Sequence, residues 1–152
     1  MRIAMIGAGY VGLVSGACFS EFGVDVVCVD KDASKVDLLN NHQVPIYEPE
    51  LNAIVEKNVK AGRLTFTTDL KAGVKDVDAI FIAVGTPSRR GDGHADLTYV
   101  FDAAKEVALA ITEYTVIVTK STVPVGTGDE IEGIFRQFCP KGCFDVISNP
   151  EF

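Results

Sequence analysis

The sequence predicts a doubly wound parallel α/β sheet, read as one domain over residues 1–152. Three observations carry that prediction. Short β-branched runs alternate with longer segments of helical periodicity. The run "DAIFIAVG" is apolar almost throughout, as in a parallel strand buried on both faces. Glycine and polar clusters follow the apolar runs, at the carboxyl ends of strands, where such sheets bind ligands.

The elements follow in order. "RIAMIG" reads as the first strand and 10–22 as a helix. "VDVVCVD" is the second strand, with a helix over 32–40 behind it. After "HQVPIYEPE", Leu51, Ile54, Val55 and Val59 recur at helical spacing and predict a helix over 51–61. "RLTFTTD" is a short third strand and "DAIFIAVG" the fourth. A helix over 97–111 leads to the strand "TVIVTK", and one over 125–138 leads to the last strand, "FDVIS". Parallel strands need crossovers, and the helices fill them. Right-handed crossovers give the default strand order 3-2-1-4-5-6. No low-complexity segment, fixed-period repeat or Gly/Ser-rich linker divides the chain.

Composition narrows the function classes. Hydrophobic residues make up 47% and charged residues 23%, enough apolar content for a filled interior rather than disorder. The net charge of −7 argues against nucleic acid, which needs clustered Lys and Arg. No stretch is long and apolar enough to span a membrane. The first nineteen residues have a signal-peptide look, but their glycine spacing fits a strand, a turn and a helix instead. Cys18 and Cys28 sit in apolar segments and read as small hydrophobes. Cys139 and Cys143 are four apart, which is no CxxC, and without clustered His they do not form a zinc site. No metal is expected. Reduced thiols point to a cytoplasmic compartment.

The chemistry-bearing motifs begin with "GAGYVG", which places Gly7, Gly9 and Gly12 in the G-x-G-x-x-G pattern. Gly7 permits the tight turn, Gly9 lets backbone approach a pyrophosphate, and Gly12 lets helix and strand pack closely. The pattern follows a strand, opens a helix and precedes Asp30, eighteen residues past Gly12. In that context it is a Rossmann-type dinucleotide fingerprint. A carboxylate at Asp30 accepts from the ribose hydroxyls and repels a 2′-phosphate, so NAD is favoured over NADP. Lys31 and Lys35 complicate this, since cations there could tolerate a phosphate; their other reading is solvated charge at a helix start.

Further motifs follow the fourth, fifth and sixth strands. Thr86-Pro87 ends the fourth and is expected beside the cofactor. Arg89, Arg90, Gly91 and Gly93 read as an exposed flexible turn, with Asp96 as the cap of the next helix. His94, between glycine and alanine in that loop, reads as solvated rather than catalytic. In "KSTVPVGT", Pro124 suits a first helical turn. Thr122 there is either a hydroxyl aimed at the cleft or, like Ser121, a helix cap; the residues leave both open. "CPKGC" falls at the amino end of the sheet, so a turn through Lys141 and Gly142 explains it better than a nucleophile.

Taken together, "GAGYVG", "VDKD", "PIYEPEL", "RLTFTTD", "GTPSRRGDGHADL", "KSTVPVGT" and "SNPEF" resemble the nucleotide-sugar dehydrogenases, most closely the UDP-glucose-oxidising members. The resemblance spans all 152 residues. It implies oxidation of a UDP-sugar C6 hydroxymethyl to a carboxylate in two NAD-dependent steps through a cysteine-bound thioester. Glu50 departs from the family's habit, standing where members commonly carry glycine. The resemblance places Tyr10 and Val11 at the pyrophosphate, Asp30 and Lys35 at the adenosine end, and Thr86 along the cofactor. It makes Thr122 and Glu151 the pair that holds and activates water, with Glu151 and backbone near Phe152 touching substrate. A carboxylate and a hydroxyl within reach of one water make a general-base arrangement.

The family's glycine-rich cysteine motif, its long dimer-building helix and its second nucleotide-binding domain have no counterpart in these 152 residues. The expectation is therefore the NAD-binding domain of an enzyme that is a homodimer at full length, inactive by itself. GDP-mannose or a UDP-N-acetylhexosamine is the alternative substrate. A stand-alone NAD-sensing module is the rival from another class, although a sensor has no use for Thr122 and Glu151 together.

Overall fold

Twelve elements alternate along the chain of the computed structural model, which describes residues 1–89, 91, 93–140 and 142–151. They are β1 (Arg2–Ile6), α1 (Tyr10–Glu21), β2 (Asp25–Val29), α2 (Ala33–Asn40), α3 (Leu51–Lys60) and β3 (Leu64–Thr67). Then come α4 (Leu70–Gly73), β4 (Ala79–Ile82), α5 (Thr98–Ala110), β5 (Thr115–Thr119), α6 (Thr127–Phe138) and β6 (Phe144–Ser148). The strands form one six-stranded parallel sheet in the order β3-β2-β1-β4-β5-β6, as the alternation predicts.

Strand period sorts the side chains into two cores. Ala4, Ile6, Val27, Ile80, Ile82 and Ile117 face α4, α5 and α6, whose Val100, Ala104, Ile131 and Phe135 are buried against them. Ile3, Met5, Val26, Cys28 and Leu64 face α1, α2 and α3, meeting Leu13, Ala17, Leu39 and Val55. Each fully buried Val, Leu, Ile, Met or Phe among them contributes about 1.5–3 kcal/mol. A central strand flanked by both layers therefore has no polar face, which is why these runs read as continuously apolar.

Register aligns the strand ends. Ile6 pairs with Val29 and Ile82, Ile82 with Thr119, and Thr119 with Ser148. The next residues, Asp30, Gly7, Ala83, Lys120 and Asn149, therefore share the carboxyl edge of the sheet.

Several expectations need correcting. The turn α4 has no counterpart in the sequence reading; Asp69 caps it by accepting from Ala72 N at 3.1 Å. Helix α6 starts at Thr127, so Pro124 precedes it, and Gly126 at φ 93° occupies the cap. Asp96 stands one residue before the cap position of α5, though its Oδ1 still accepts from Thr98 N at 3.0 Å. Cys18 lies exposed on α1 rather than packed as a small hydrophobe. The loop after β4 is pinned at its base by a Ser88–Ala95 bridge and Arg89 N donating to His94 O at 2.7 Å. The expectations for Arg90, Lys141 and Phe152 fall outside the described residues. No helix among the described residues is long and apolar enough to cross a membrane.

Glu50 caps α3 with φ 67°, a left-handed conformation that costs a residue bearing a Cβ about 1–2 kcal/mol. Glycine adopts it freely, with its larger unfolded-state entropy taking back part of the gain. Glu50→Gly should stabilise the chain by about 0.5–1 kcal/mol, raising Tm by roughly 1–4 °C in thermal denaturation. A Tm that stays or falls would show that the Glu50 side chain makes up for its backbone.

Candidate functional site

Strand order reverses between β1 and β4, and the carboxyl ends of such neighbours open a cleft. Gly7 leaves β1 at φ 100° and donates its N–H to Val29 O at 2.8 Å. A Cβ on Gly7 would stand 2.7 Å from Ala83 O, and one on Gly12 only 1.9 Å from Gly7 O. Helix α1 thus rides directly on the turn, and the turn on the end of β4. Gly9 differs: a Cβ there would meet nothing within 4 Å. It faces open space.

The first helical bond of α1 is Leu13 N to Gly9 O at 2.9 Å, and no side chain caps the helix. The N–H groups of its first turn therefore have no helical acceptor, and the helix dipole adds positive character there. Beside them opens a cavity of about 780 Å³, lined by Gly7, Gly9, Asp30, Lys35, Pro87 and Tyr99 among others.

Asp30 is fastened at the cavity wall. Its Oδ2 accepts from Ala8 N at 2.8 Å and Lys35 Nζ at 2.9 Å, and its Oδ1 accepts from Asp32 N at 2.9 Å. Partial burial pushes its pKa up, but the hydrogen bonds from Asp32, Ala8 and Lys35 outweigh this and hold the carboxyl below its ordinary value. An ionised carboxylate has about four acceptor positions, so with three of them filled Asp30 retains capacity for a ribose hydroxyl. The uncapped N–H groups, the open face at Gly9 and this acidic wall together fit NAD.

Not every expected cofactor residue lines that cavity. The Val11 side chain is partly buried against the core beneath α1. The Tyr10 side chain is exposed and donates its hydroxyl to Glu48, on the loop before α3. Tyr10, Val11, Gly12, Thr86 and Thr122 are not among the cavity's lining residues.

Thr86 instead meets Thr122, and Thr122 meets Glu151, beyond β4, β5 and β6. Thr86 Oγ1 donates to Thr122 O at 3.2 Å, and Thr122 Oγ1 donates to Glu151 O at 2.5 Å. Ser121 Oγ donates to Val84 O at 2.7 Å, tying the β5 loop to the β4 loop. Neither Ser121 nor Thr122 caps α6, because Gly126 does. With its proton committed to Glu151 O, the Thr122 hydroxyl is left to act as an acceptor.

Lys120 is a residue that sequence reasoning missed. Its side chain is 15% exposed and its Nζ stands 3.2 Å from Glu151 Oε2. The only signal was position: it is the first residue past β5, on the ligand edge. Glu48, the Ala8 N–H and Glu106 escaped notice for the same reason, since each partner lies far away in the chain.

None of the cysteines lines the cavity. Burial, with the Asp30 charge behind it, pushes the Cys28 thiol up to about 12. Burial likewise raises Cys139, which donates to Ala108 O at 3.3 Å. Cys143 O accepts from Thr115 N where β5 begins, at the opposite edge of the sheet. Neither Cys28 nor Cys139 is a poised thiolate.

Comparison with known proteins places this geometry. Residues 1–152 match the family model described as "UDP-glucose/GDP-mannose dehydrogenase family, NAD binding domain". A UDP-glucose 6-dehydrogenase of Rhizobium meliloti is 62% identical over 152 residues, which cover the whole chain and 35% of that protein. One from Bacillus subtilis is 55% identical over 153 residues, covering 99% of the chain and 33% of its own length. The crystal structure of a ternary complex of GDP-mannose dehydrogenase from Pseudomonas aeruginosa superposes with a TM-score of 0.95 at 40% identity. That match covers 100% of this chain and 36% of the other. A UDP-glucose dehydrogenase from Pyrobaculum islandicum gives 0.93 at 38% identity, covering 99% and 36%. The chain spans about a third of the length of the curated relatives it matches.

Proposed function

We propose, from the premise that this chain belongs to the UDP-glucose/GDP-mannose dehydrogenase family and is its NAD-binding domain, that it serves the oxidation of UDP-glucose to UDP-glucuronate. The observation that carries this reading is the meeting of Thr86, Lys120, Thr122 and Glu151 on the edge that also bears the dinucleotide cavity. A domain that only senses NAD has no use for such a cluster.

NAD, when bound, supplies the hydride acceptor for both oxidations. The chain's own residues bind, orient and handle protons. The first-turn N–H groups of α1, from Gly9 through Tyr10 and Val11, receive the diphosphate, and Asp30, steadied by Lys35, receives the ribose. Thr86 and Thr122 border the reacting end. Glu151 acts as acid/base or water-orienting carboxylate during hydrolysis, and Thr122 accepts a hydrogen bond from the same water. Lys120 anchors Glu151 in that position. UDP-glucose is favoured by the 62% and 55% relatives. The four free thiols accord with a reducing cytoplasm, and the enzyme works as a homodimer.

The isolated chain should bind NADH in titration calorimetry yet give no rise in absorbance at 340 nm with NAD and UDP-glucose, because the family's glycine-rich cysteine motif has no counterpart in these 152 residues. Failure to bind NADH, or measurable turnover by the pure chain, would sink the proposal. In the enzyme that carries this domain, UDP-glucose should yield two NADH per sugar.

A further inference from the structure

We propose that Glu106, on α5, is a second determinant of the preference for NAD over its 2′-phosphorylated form. The inference rests on the reading of Asp30 as the ribose partner. Lys31 follows Asp30 directly and lines the same cavity. A cation beside that acidic position is the device that accommodates a 2′-phosphate in phosphate-binding relatives of this fold. Lys31 has the reach for it, with its side chain 75% exposed on a flexible stem.

The structure shows Lys31 held elsewhere. Its Nζ pairs with Glu106 Oε1 at 2.6 Å, linking the end of β2 to α5. Lys35, the other lysine of the cavity wall, pairs with Asp30. Both cations among the described lining residues are thus held by carboxylates, while Asp32 and Asp102 add two more acids to the wall. Asp32 is occupied in capping α2, accepting from Ser34 N at 3.0 Å. A 2′-phosphate brings up to about two further negative charges. It would meet Asp30 directly, and Lys31 could answer it only by leaving Glu106. The sequence left the two lysines as an open argument for NADP tolerance; the Lys31–Glu106 pair decides it by spending the cation on α5.

The pair is exposed, with Glu106 at 42%, so its effect is moderate and salt-sensitive. Calorimetry with NADH, and NADPH measured by competition against it, reads the ratio of the two affinities for this chain. Glu106→Gln should move that ratio toward NADPH by about 1.5-fold to fivefold, the scale of one exposed charge pair. The shift should shrink as salt rises, and adding Lys31→Met should abolish it. A ratio unmoved by Glu106→Gln, or a shift that survives Lys31→Met, overturns the role of Glu106. NADH binding by the unaltered chain is the internal standard. Its absence would overturn the Asp30 reading and this inference together, whereas intact NADH binding with an unmoved ratio overturns this inference alone.

Discussion

Gly12→Ala should destabilise the chain by about 3 kcal/mol or more and abolish NADH binding. The added methyl would stand 1.9 Å from Gly7 O and 3.0 Å from Gly7 C, both backbone atoms that cannot rotate away. Relief requires lifting α1 from β1, which pulls Leu13 and Ala17 out of their core and opens the turn beneath. The expected loss is a large share of the roughly 5–15 kcal/mol that holds a domain folded. Gly9→Ala is the contrast. Gly9 has φ −76° and nothing within 4 Å, so its alanine variant should unfold within about 0.5 kcal/mol of the parent. It should nonetheless lose NADH, because the methyl occupies the space where a diphosphate approaches backbone. Urea unfolding and NADH titration of both variants separate a packing glycine from a binding glycine. If Gly9→Ala binds NADH as well as the parent, the diphosphate does not cross that surface.

The second large effect is on affinity. Asp30→Ala should weaken NADH binding by about 1–3 kcal/mol, the usual cost of losing a charged hydrogen-bond partner. The structure adds a second route to that loss. Asp30 also holds Ala8 N and Lys35, so alanine unfastens the glycine turn and leaves Lys35 without its carboxylate. Asp30→Asn tells the two apart, since its amide oxygen can still accept from Ala8 N while the charge is gone. The carboxyl of Asp30 titrates below its ordinary value, so it is an anion throughout the neutral range. Unchanged NADH affinity in Asp30→Ala would place the ribose elsewhere in the cavity.

Most of the fold was legible in the sequence because the strand and helix periods differ and each repeats. Runs such as "DAIFIAVG" and the spacing of Leu51, Ile54, Val55 and Val59 read directly. What failed was short or all-round apolar. Helix α4, four residues long, holds barely one turn, too little for any period to show. Helix α1 is apolar on every side, so nothing in its own residues said that Cys18 would face outward. At α6, the preference of proline for a first turn lost to Gly126, which alone there adopts the left-handed cap.

The site divides along the same line. The glycine turn and Asp30 could be found because their chemistry is local: fixed spacing, strand before, helix after. The ion pair of Lys120 with Glu151, and that of Lys31 with Glu106, join residues 31 and 75 positions apart. No spacing rule reaches so far. By itself the sequence determined the sheet, its order and which edge would bind a dinucleotide, since backbone sterics and apolar periodicity act over a few residues. Only the tertiary structure decided which carboxylate claims which lysine. Those contacts depend on register across the sheet, and register becomes definite only when both cores close around it.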